Sequence, residues 1–191
     1  MKGNDKPALK TSVKGKAIGL LLMAFFTIGW AVTAEISLKG DGHGIVIIAF
    51  SLISYIFIGF AIYLLRSSKR IQASEDDEQR ISTRQIIKRF YLNFGIEIVA
   101  IGILCFLLFH FGKTGYIIPV IALTVGLHFY PLAGIFHRKI DYYFATWTCL
   151  VAIAGILMLL FSNYQPSGIH SFVSVGAACA TTGYGIFMLN K

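Results

Sequence analysis

The sequence predicts an all-α integral membrane protein, a bundle of six transmembrane helices. Two features of its composition support this: 56% of the 191 residues are hydrophobic and only 14% are charged, whereas a soluble domain carries about a quarter charged residues. The third observation is that the apolar residues form six runs. Each run has about 20 residues, the length that a helix needs to cross a hydrocarbon core of about 30 Å. Because backbone groups in lipid must be paired within their own segment, the runs are predicted to be helices rather than strands.

The runs divide the chain into a basic tail, residues 1–16, and a single transmembrane domain, residues 17–191, which includes a cytoplasmic loop, residues 66–89. We predict spans near residues 17–36, 45–65, 90–111, 116–136, 142–161 and 168–189. The tail contains five lysines together with Gly and Pro. It is predicted to be mostly disordered, as terminal segments of this composition usually are.

The first run also resembles a signal peptide, because lysines precede it and Val32-Thr33-Ala34 offers a small-residue cleavage site. Its apolar part, however, is longer than the roughly 7–15 residues typical of such peptides. A retained helix is therefore favoured, and cleavage is the alternative. Cleavage would leave the orientation of the remaining spans unchanged.

The distribution of basic residues predicts how the chain is oriented. With the N-terminus in the cytoplasm, 15 of the 17 Lys and Arg residues fall in cytoplasmic segments, and only Lys39 and Lys113 fall in outer loops. Short loops rich in Lys and Arg stay on the cytoplasmic side of a membrane. We therefore predict a multi-pass protein of the plasma (inner) membrane with both termini in the cytoplasm.

The cytoplasmic loop contains a signal for a helix start. Ser74 is a suitable N-cap, and the acids Glu75, Asp76 and Asp77 follow it in the first turn. We predict an amphipathic helix that continues into the third span. A solvated charged connector is the favoured role for this helix, and docking of a partner protein is the alternative.

Two function classes are disfavoured by the pattern of charged residues and cysteines. The net charge of +8 does not predict nucleic-acid binding, because the basic residues lie in short loops and form no stripe interleaved with aromatic residues. The three cysteines, Cys105, Cys149 and Cys179, all lie inside apolar runs without a CxxC motif. Buried Cys behaves as a small apolar residue, so we predict neither a disulfide framework nor a zinc site.

The histidines near the outer helix ends, His43, His110 and His170, raise the alternative of a haem or metal site. The sequence contains neither CxxCH nor HExxH, so no cofactor and no metal is predicted. No GxSxG motif frames a serine, so no catalytic residue is predicted either. An enzyme that acts on lipids or quinones is the least favoured class.

Polar residues inside the spans are the most informative feature for function. Glu97 is the only acid well inside a span, and an ionised carboxylate there costs about 2.5–3.5 kcal/mol on insertion scales. Asn93 lies four residues earlier, on the same helix face. His128 is predicted at a similar depth on the fourth helix, near Pro131, which frees the carbonyl of Leu127. Other polar residues are also predicted in the cytoplasmic half of the membrane. We therefore predict a binding cluster that consists of Asn93, Glu97, His128, Tyr130, Thr146 and Thr182.

These residues suggest a hypothesis for function. We expect a polar pocket or half-channel open to the cytoplasm, in which Glu97 and His128 titrate and handle a proton, an ion or a small solute. The alternative is that the two residues only fix helix packing. At the level of the whole protein, the alternative is a non-catalytic structural or accessory subunit of a larger membrane complex. The expected partners are the lipid bilayer and either a second copy of the chain or another membrane protein.

One stretch of the sequence is similar to known proteins. His128-Phe129-Tyr130-Pro131-Leu132-Ala133, followed by a basic loop and Tyr142-Tyr143, resembles short segments in small multi-helix bacterial membrane proteins of unknown function. The likeness is confined to this stretch. It implies a bacterial source, and because those proteins have no assigned activity it implies no functional site.

Overall fold

The computed structural model describes residues 6–38, 44–69, 77–136, 138–161 and 165–190. Within them the chain is helical and contains no strand, which confirms the all-α prediction. The six α-helices are α1 (Lys6–Ser37), α2 (Ile45–Lys69), α3 (Asp77–His110), α4 (Ile117–Phe136), α5 (Lys139–Phe161) and α6 (Pro166–Leu189). A short 3-10 turn, Thr114–Tyr116, precedes α4.

All six helices are long and apolar enough to cross a membrane, so the chain is a multi-pass membrane protein. The spans agree with the predicted ones to within a few residues, except in the third. There the membrane-compatible segment is Arg84–His110 and begins earlier than predicted. The direction in which the helices cross, and the membrane in which they lie, remain predictions.

Two helices extend beyond the predicted spans. The prediction of a disordered tail is wrong for residues 6–16, because α1 begins at Lys6. Extending an existing helix is much easier than nucleating one, and Pro7 lies in the first turn, where a proline is tolerated. The prediction that a helix in the loop before the third span continues into that span is confirmed, since α3 runs from Asp77 without interruption. Residues 1–5, the Ser74 cap and His43 lie outside the described residues.

The core of the bundle lies along α1 and α6. In an apolar 18-residue stretch of α6, 56% of the residues are buried, whereas in the corresponding stretch of α3 only 6% are. α1 packs against α2 and α6, α5 packs against α4 and α6, and α3 packs mainly against α4. α3 is therefore a peripheral helix, and α4 joins it to the rest of the bundle.

A close contact between α4 and α5 decides how α4 is turned. A Cβ atom on Gly126 would lie 2.7 Å from the Cys149 sulfur and 3.0 Å from its backbone nitrogen, so the absence of a side chain lets α4 approach α5 closely. The helix continues past Pro131 to Phe136. Because residues two apart lie about 200° apart around a helix, the close contact at Gly126 turns His128 away from α5. His128 therefore faces α3.

Hydrogen bonds between side chains and neighbouring helices lock the central elements together. The hydroxyls of Thr27 on α1 and Thr181 on α6 are 2.8 Å apart. The Ser171 hydroxyl donates to the carbonyl of Ala34 at 3.1 Å. Both residue pairs are buried, so their polar groups satisfy one another in a region that excludes water.

Candidate functional site

Three of the predicted residues meet in the middle of the α3–α4 interface, and we call them the Glu97 cluster: Asn93, Glu97 and His128. Nδ1 of His128 lies 3.3 Å from Oε2 of Glu97. Nδ2 of Asn93 lies 3.0 Å from the same His128 nitrogen and donates to the His128 carbonyl at 3.3 Å. The cluster exists because the four-residue spacing of Asn93 and Glu97 places both on the α3 face that meets His128.

The cluster is almost fully enclosed. The side chains of His128 and Glu97 are 8% and 6% exposed. The Phe94 ring meets the His128 ring edge-on, with centroids 6.2 Å apart, and Phe129 flanks it at 6.0 Å. Polar groups that are buried among aromatic rings depend on one another for hydrogen bonds, because water cannot supply them.

The geometry limits where the proton of the cluster lies. The Asn93 amide nitrogen lies within hydrogen-bond distance of both the His128 carbonyl and Nδ1, and its donation to Nδ1 requires the tautomer in which that ring nitrogen carries no proton. An Nδ1 atom that accepts from Asn93 cannot donate to Glu97. Oε2 of Glu97 forms no hydrogen bond of ordinary geometry with any described residue, although Nδ1 is near. A carboxyl in this position needs a proton of its own or a positive charge beside it.

The other three predicted residues lie elsewhere. The Tyr130 hydroxyl is 3.0 Å from the Thr146 hydroxyl in an exposed α4–α5 contact. Tyr130 is two residues from His128 and therefore lies on another face of α4. Thr182 is buried in α6, and its hydroxyl has no hydrogen-bond partner among the described residues. The predicted cluster of six is thus a cluster of three, a separate pair and a single threonine.

A cleft of about 300 Å³ adjoins the cluster between α1 on one side and α3 and α4 on the other, and we call it the Glu97 cleft. Its lining residues are Phe25, Phe26, Gly29, Trp30, Thr33, Phe94, Glu97, Ile98, Ile101, Ile118, Ile121 and Val125. Glu97 is the only ionisable residue among them. The cleft exists because α3 packs mainly on α4 and leaves a gap beside α1.

The Glu97 cleft differs from the polar half-channel that the sequence predicts. Its walls are apolar, and from Glu97 it extends along the second half of α1 and the first half of α4. That end of the bundle, where Ser171 bonds to Ala34, lies opposite the Asp77 end of α3. With the predicted orientation the cleft lies in the outer half of the membrane. The half-channel predicted from the sequence would instead open toward the cytoplasmic loop, at the opposite end of the bundle.

A second buried acid was not among the predicted site residues. Asp141 in the first turn of α5 is fully buried. The positive charge of Arg138 and the Tyr184 hydroxyl act on its carboxyl, although neither carboxyl oxygen forms a hydrogen bond of ordinary geometry with a described residue. Arg138 in turn donates to the Tyr184 hydroxyl at 3.2 Å. We call these three residues the Asp141 cluster. The sequence signal for it is the i, i+3 spacing of Arg138 and Asp141 at a helix start.

Metal-ligating residues are dispersed in the described part of the chain, where no group of three or more His, Cys, Asp or Glu side chains is placed to hold a metal ion. Nε2 of His170 lies 2.6 Å from the carbonyl of Gly115 and tethers α6 to the turn before α4. His110 stacks against the Phe106 ring at the end of α3. These two histidines therefore have separate structural surroundings.

The fold and the Glu97 cluster together describe an α-helical membrane protein with a buried acid at a helix interface. In comparisons with known proteins, no family model, no curated protein and no solved structure matches the chain. The function is accordingly argued from the site alone.

Proposed function

We propose that the Glu97 cluster takes up and releases a proton within the membrane, and that the protein uses this step to handle a proton, an ion or a small solute. The observation that carries the proposal is Oε2 of Glu97, which lies 3.3 Å from His128 Nδ1 but has no hydrogen-bond partner among the described residues. A buried carboxyl without a partner is stable only when it is protonated or neutralised by a second charge.

The residues that form the Glu97 cluster support the proposal that it binds and releases a proton. Asn93 has no charge, and the charge of His128 depends on a proton. One proton shared by Glu97 and His128 makes the cluster neutral, whether the carboxyl or the imidazole carries it. Loss of that proton leaves an ionised carboxylate beside the apolar walls of the cleft, which is costly inside a membrane. Release of the proton must therefore be linked to the arrival of something that offsets the negative charge.

Reaction of Glu97 with a lipophilic carbodiimide tests this proposal, because a carboxyl oxygen adds to the carbodiimide carbon and the carboxyl proton passes to a carbodiimide nitrogen, so the carboxyl must be protonated. In membranes that contain the full-length protein, we expect labelling that depends on pH and disappears in Glu97→Gln. The pH dependence should change in His128→Ala. Glu35→Gln is the matched control and should leave the labelling unchanged. Glu35 is a second acid in a span, and its Oε2 also has no hydrogen-bond partner among the described residues. Its Oε1, however, accepts a hydrogen bond from the Gly44 backbone at 2.9 Å, and the residue does not line the Glu97 cleft. Absence of labelling at every pH would overturn the proposal.

A second candidate function, an accessory subunit of a membrane complex, is favoured by one observation on α3. Gly95 and Gly102 are exposed, and a Cβ atom on either would meet no atom of the described residues within 4 Å. The two glycines are seven residues apart and therefore lie on one face of the helix. Exposed small residues on a transmembrane helix favour close packing with a partner helix.

Crosslinking in native membranes tests the second candidate. Leucine at both Gly95 and Gly102 should abolish any crosslinked complex that depends on the α3 face. Leucine at Gly59 is the matched control, because Gly59 of α2 is also exposed and faces open space. A complex that survives both leucine substitutions on α3 would exclude this face as the contact.

A further inference from the structure

We infer that the Glu97 cleft binds a small organic cation with an apolar body, which replaces the proton on Glu97. The inference rests on the proposed function in one respect, namely that Glu97 exchanges a proton. It goes further by assigning the chemical class of the ligand. It is carried by the position of the cleft, by the character of its walls and by the unpartnered carboxyl oxygen.

The cleft has the size and access that a small apolar molecule requires. Its volume of about 300 Å³ is at the lower end of the range for small-molecule sites. Phe25 and Ile98 line it and are 70% and 56% exposed, so the opening faces the bilayer. Trp30, which is 8% exposed, lies deeper. A ligand that partitions into lipid reaches this site laterally, between α1 and α3.

The walls of the cleft favour a cation over an anion. Four of the lining residues are aromatic: Phe25, Phe26, Trp30 and Phe94. The faces of aromatic rings attract organic cations, and indole rings do so most strongly. None of the lining residues is Lys, Arg or His, so the head of an anionic lipid has no positive partner in the cleft. The only ionisable wall residue, Glu97, has the opposite sign to a cation.

The hydrogen-bond pattern favours a cation over an uncharged molecule. In the tautomer whose Nδ1 accepts from Asn93, the imidazole neither donates to Glu97, 3.3 Å away, nor offsets its charge. Oε2 of Glu97 has no hydrogen-bond partner among the described residues, and the residue is only 7% exposed. An uncharged head would satisfy the hydrogen bond and leave the carboxyl protonated. A cation that approaches Oε2 gives the ionised form the opposite charge that it lacks.

The exchange balances in charge and in atoms. The organic cation enters with one positive charge, the O–H bond of the Glu97 carboxyl breaks, and one proton leaves to the aqueous phase. The carboxylate and the cation then form a neutral pair, so the total charge of the site is the same before and after. In the reverse step a proton returns to Oε2 and the cation is released into the bilayer.

The experiment uses the purified full-length protein in detergent, with benzyltrimethylammonium as the probe. Its carbon isostere, neopentylbenzene, is the uncharged control of the same shape. Addition of the cation should release protons into a weakly buffered solution and should protect Glu97 from carbodiimide. Glu97→Gln should abolish proton release and weaken binding by about 30-fold or more, as expected when one partner of a buried charge pair is lost. Neopentylbenzene should release no protons.

A pair of glycine variants tests the location of the site. Gly29 lines the cleft, and a Cβ atom there would meet no described residue within 4 Å, so leucine fits and occupies the ligand space. We expect Gly29→Leu to weaken cation binding by about tenfold or more, because the site becomes overfilled. Gly59→Leu, in a similar open position on α2, should leave binding unchanged.

The outcomes separate this inference from the proposed function. If carbodiimide labels Glu97 in a pH-dependent manner but the cation neither protects Glu97 nor releases protons, the proposed function stands and the inference is wrong. Equal protection by the cation and by neopentylbenzene would also overturn it, since the cleft would then select for apolar shape alone. If Glu97 never reacts, the proposed function itself is wrong. Protection of Glu97 from carbodiimide is measured on the unsubstituted protein. The inference can therefore still be tested if the Gly29→Leu protein fails to fold.

Discussion

Two acids are buried in the described part of the chain, and the difference in their surroundings separates a structural charge from an exchangeable one. Asp141 is fully buried and is acted on by Arg138, whose guanidinium cannot lose its charge in a protein. Glu97 is buried to a similar degree but is accompanied by Asn93 and His128, neither of which carries a fixed charge. The Asp141 cluster therefore contains one permanent positive charge, that of Arg138. The net charge of the Glu97 cluster, in contrast, depends on whether one proton is bound.

The position of each cluster fits its chemistry. The Asp141 cluster lies where α5 begins, and Tyr184 ties it to the second half of α6, the most buried helix of the bundle. The Glu97 cluster lies between α4 and the peripheral helix α3, beside a cleft. A fixed charge at the end of the core holds helices together. A variable charge at a loosely packed interface can respond to a ligand.

The largest expected effect is on stability, from Arg138→Ala. Loss of the guanidinium removes the positive charge that acts on the buried Asp141 carboxyl and the hydrogen bond to Tyr184, so the free energy of unfolding should fall by about 2 kcal/mol or more. The measurement is equilibrium unfolding in mixed micelles. Arg66→Ala is the control, because Arg66 is an exposed residue near the end of α2. The double variant with Asp141→Asn should recover part of the loss. A loss no greater than that of Arg66→Ala would contradict the structural role of Arg138.

An intermediate effect is expected from Asn93→Ala, which removes the amide that bonds twice to His128. Since α3 packs mainly on α4, we expect a loss of about 1–2 kcal/mol, measured in the same way. Thr146→Val is the matched control, because it breaks the exposed bond to Tyr130 and should cost less than about 0.5 kcal/mol. Equal losses in the two variants would show that the Glu97 cluster contributes no more than a surface contact.

A smaller effect on stability is expected from Glu97→Gln. Glutamine keeps the shape of the side chain and its hydrogen-bonding capacity, so unfolding should change by less than about 1 kcal/mol. Reaction with carbodiimide at this position should nevertheless be lost. If Glu97→Gln instead destabilises the protein as much as Arg138→Ala does, both acids are structural, and the contrast between the two clusters disappears.

The smallest effect on stability is expected from Gly29→Leu, which points into open space and should change unfolding by about 0.5 kcal/mol or less. The rate at which a lipophilic carbodiimide reaches Glu97 should fall, because leucine occupies the cleft. Gly59→Leu should leave that rate unchanged. A similar rate in both variants would mean that reagents reach Glu97 by a route other than the cleft.

The sequence was sufficient to predict the helices and half of the site. Long apolar runs need no tertiary information to be recognised as spans. The i, i+4 spacing of Asn93 and Glu97 defines one face of a single helix, and this is local information. The contact of that face with His128 was predicted only because Glu97 and His128 lie at a similar depth in the membrane. A similar depth does not determine whether the two side chains point toward each other.

The remaining predictions failed where the rotation of a helix about its axis matters. Tyr130 and Thr146 lie at suitable depth but meet on a different face of α4, which is turned by the close contact at Gly126. Asp141 was not among the predicted site residues, because nothing local indicates that it is completely buried. The Glu97 cleft is a gap between α1 and α3, helices that are distant in the sequence, so no local pattern predicts it.

The length of α3 has a mechanical consequence. The helix has 34 residues, which at 1.5 Å per residue is about 50 Å, while the hydrocarbon core is only about 30 Å thick. A continuous rod of this length projects beyond the bilayer while its middle carries Glu97 on one wall of the cleft. With α4 as its main support, tilting the projecting end turns α3 as a lever and changes the distance between Glu97 and α1. The water-exposed part of α3 and the buried carboxyl are thus two points on one rigid arm.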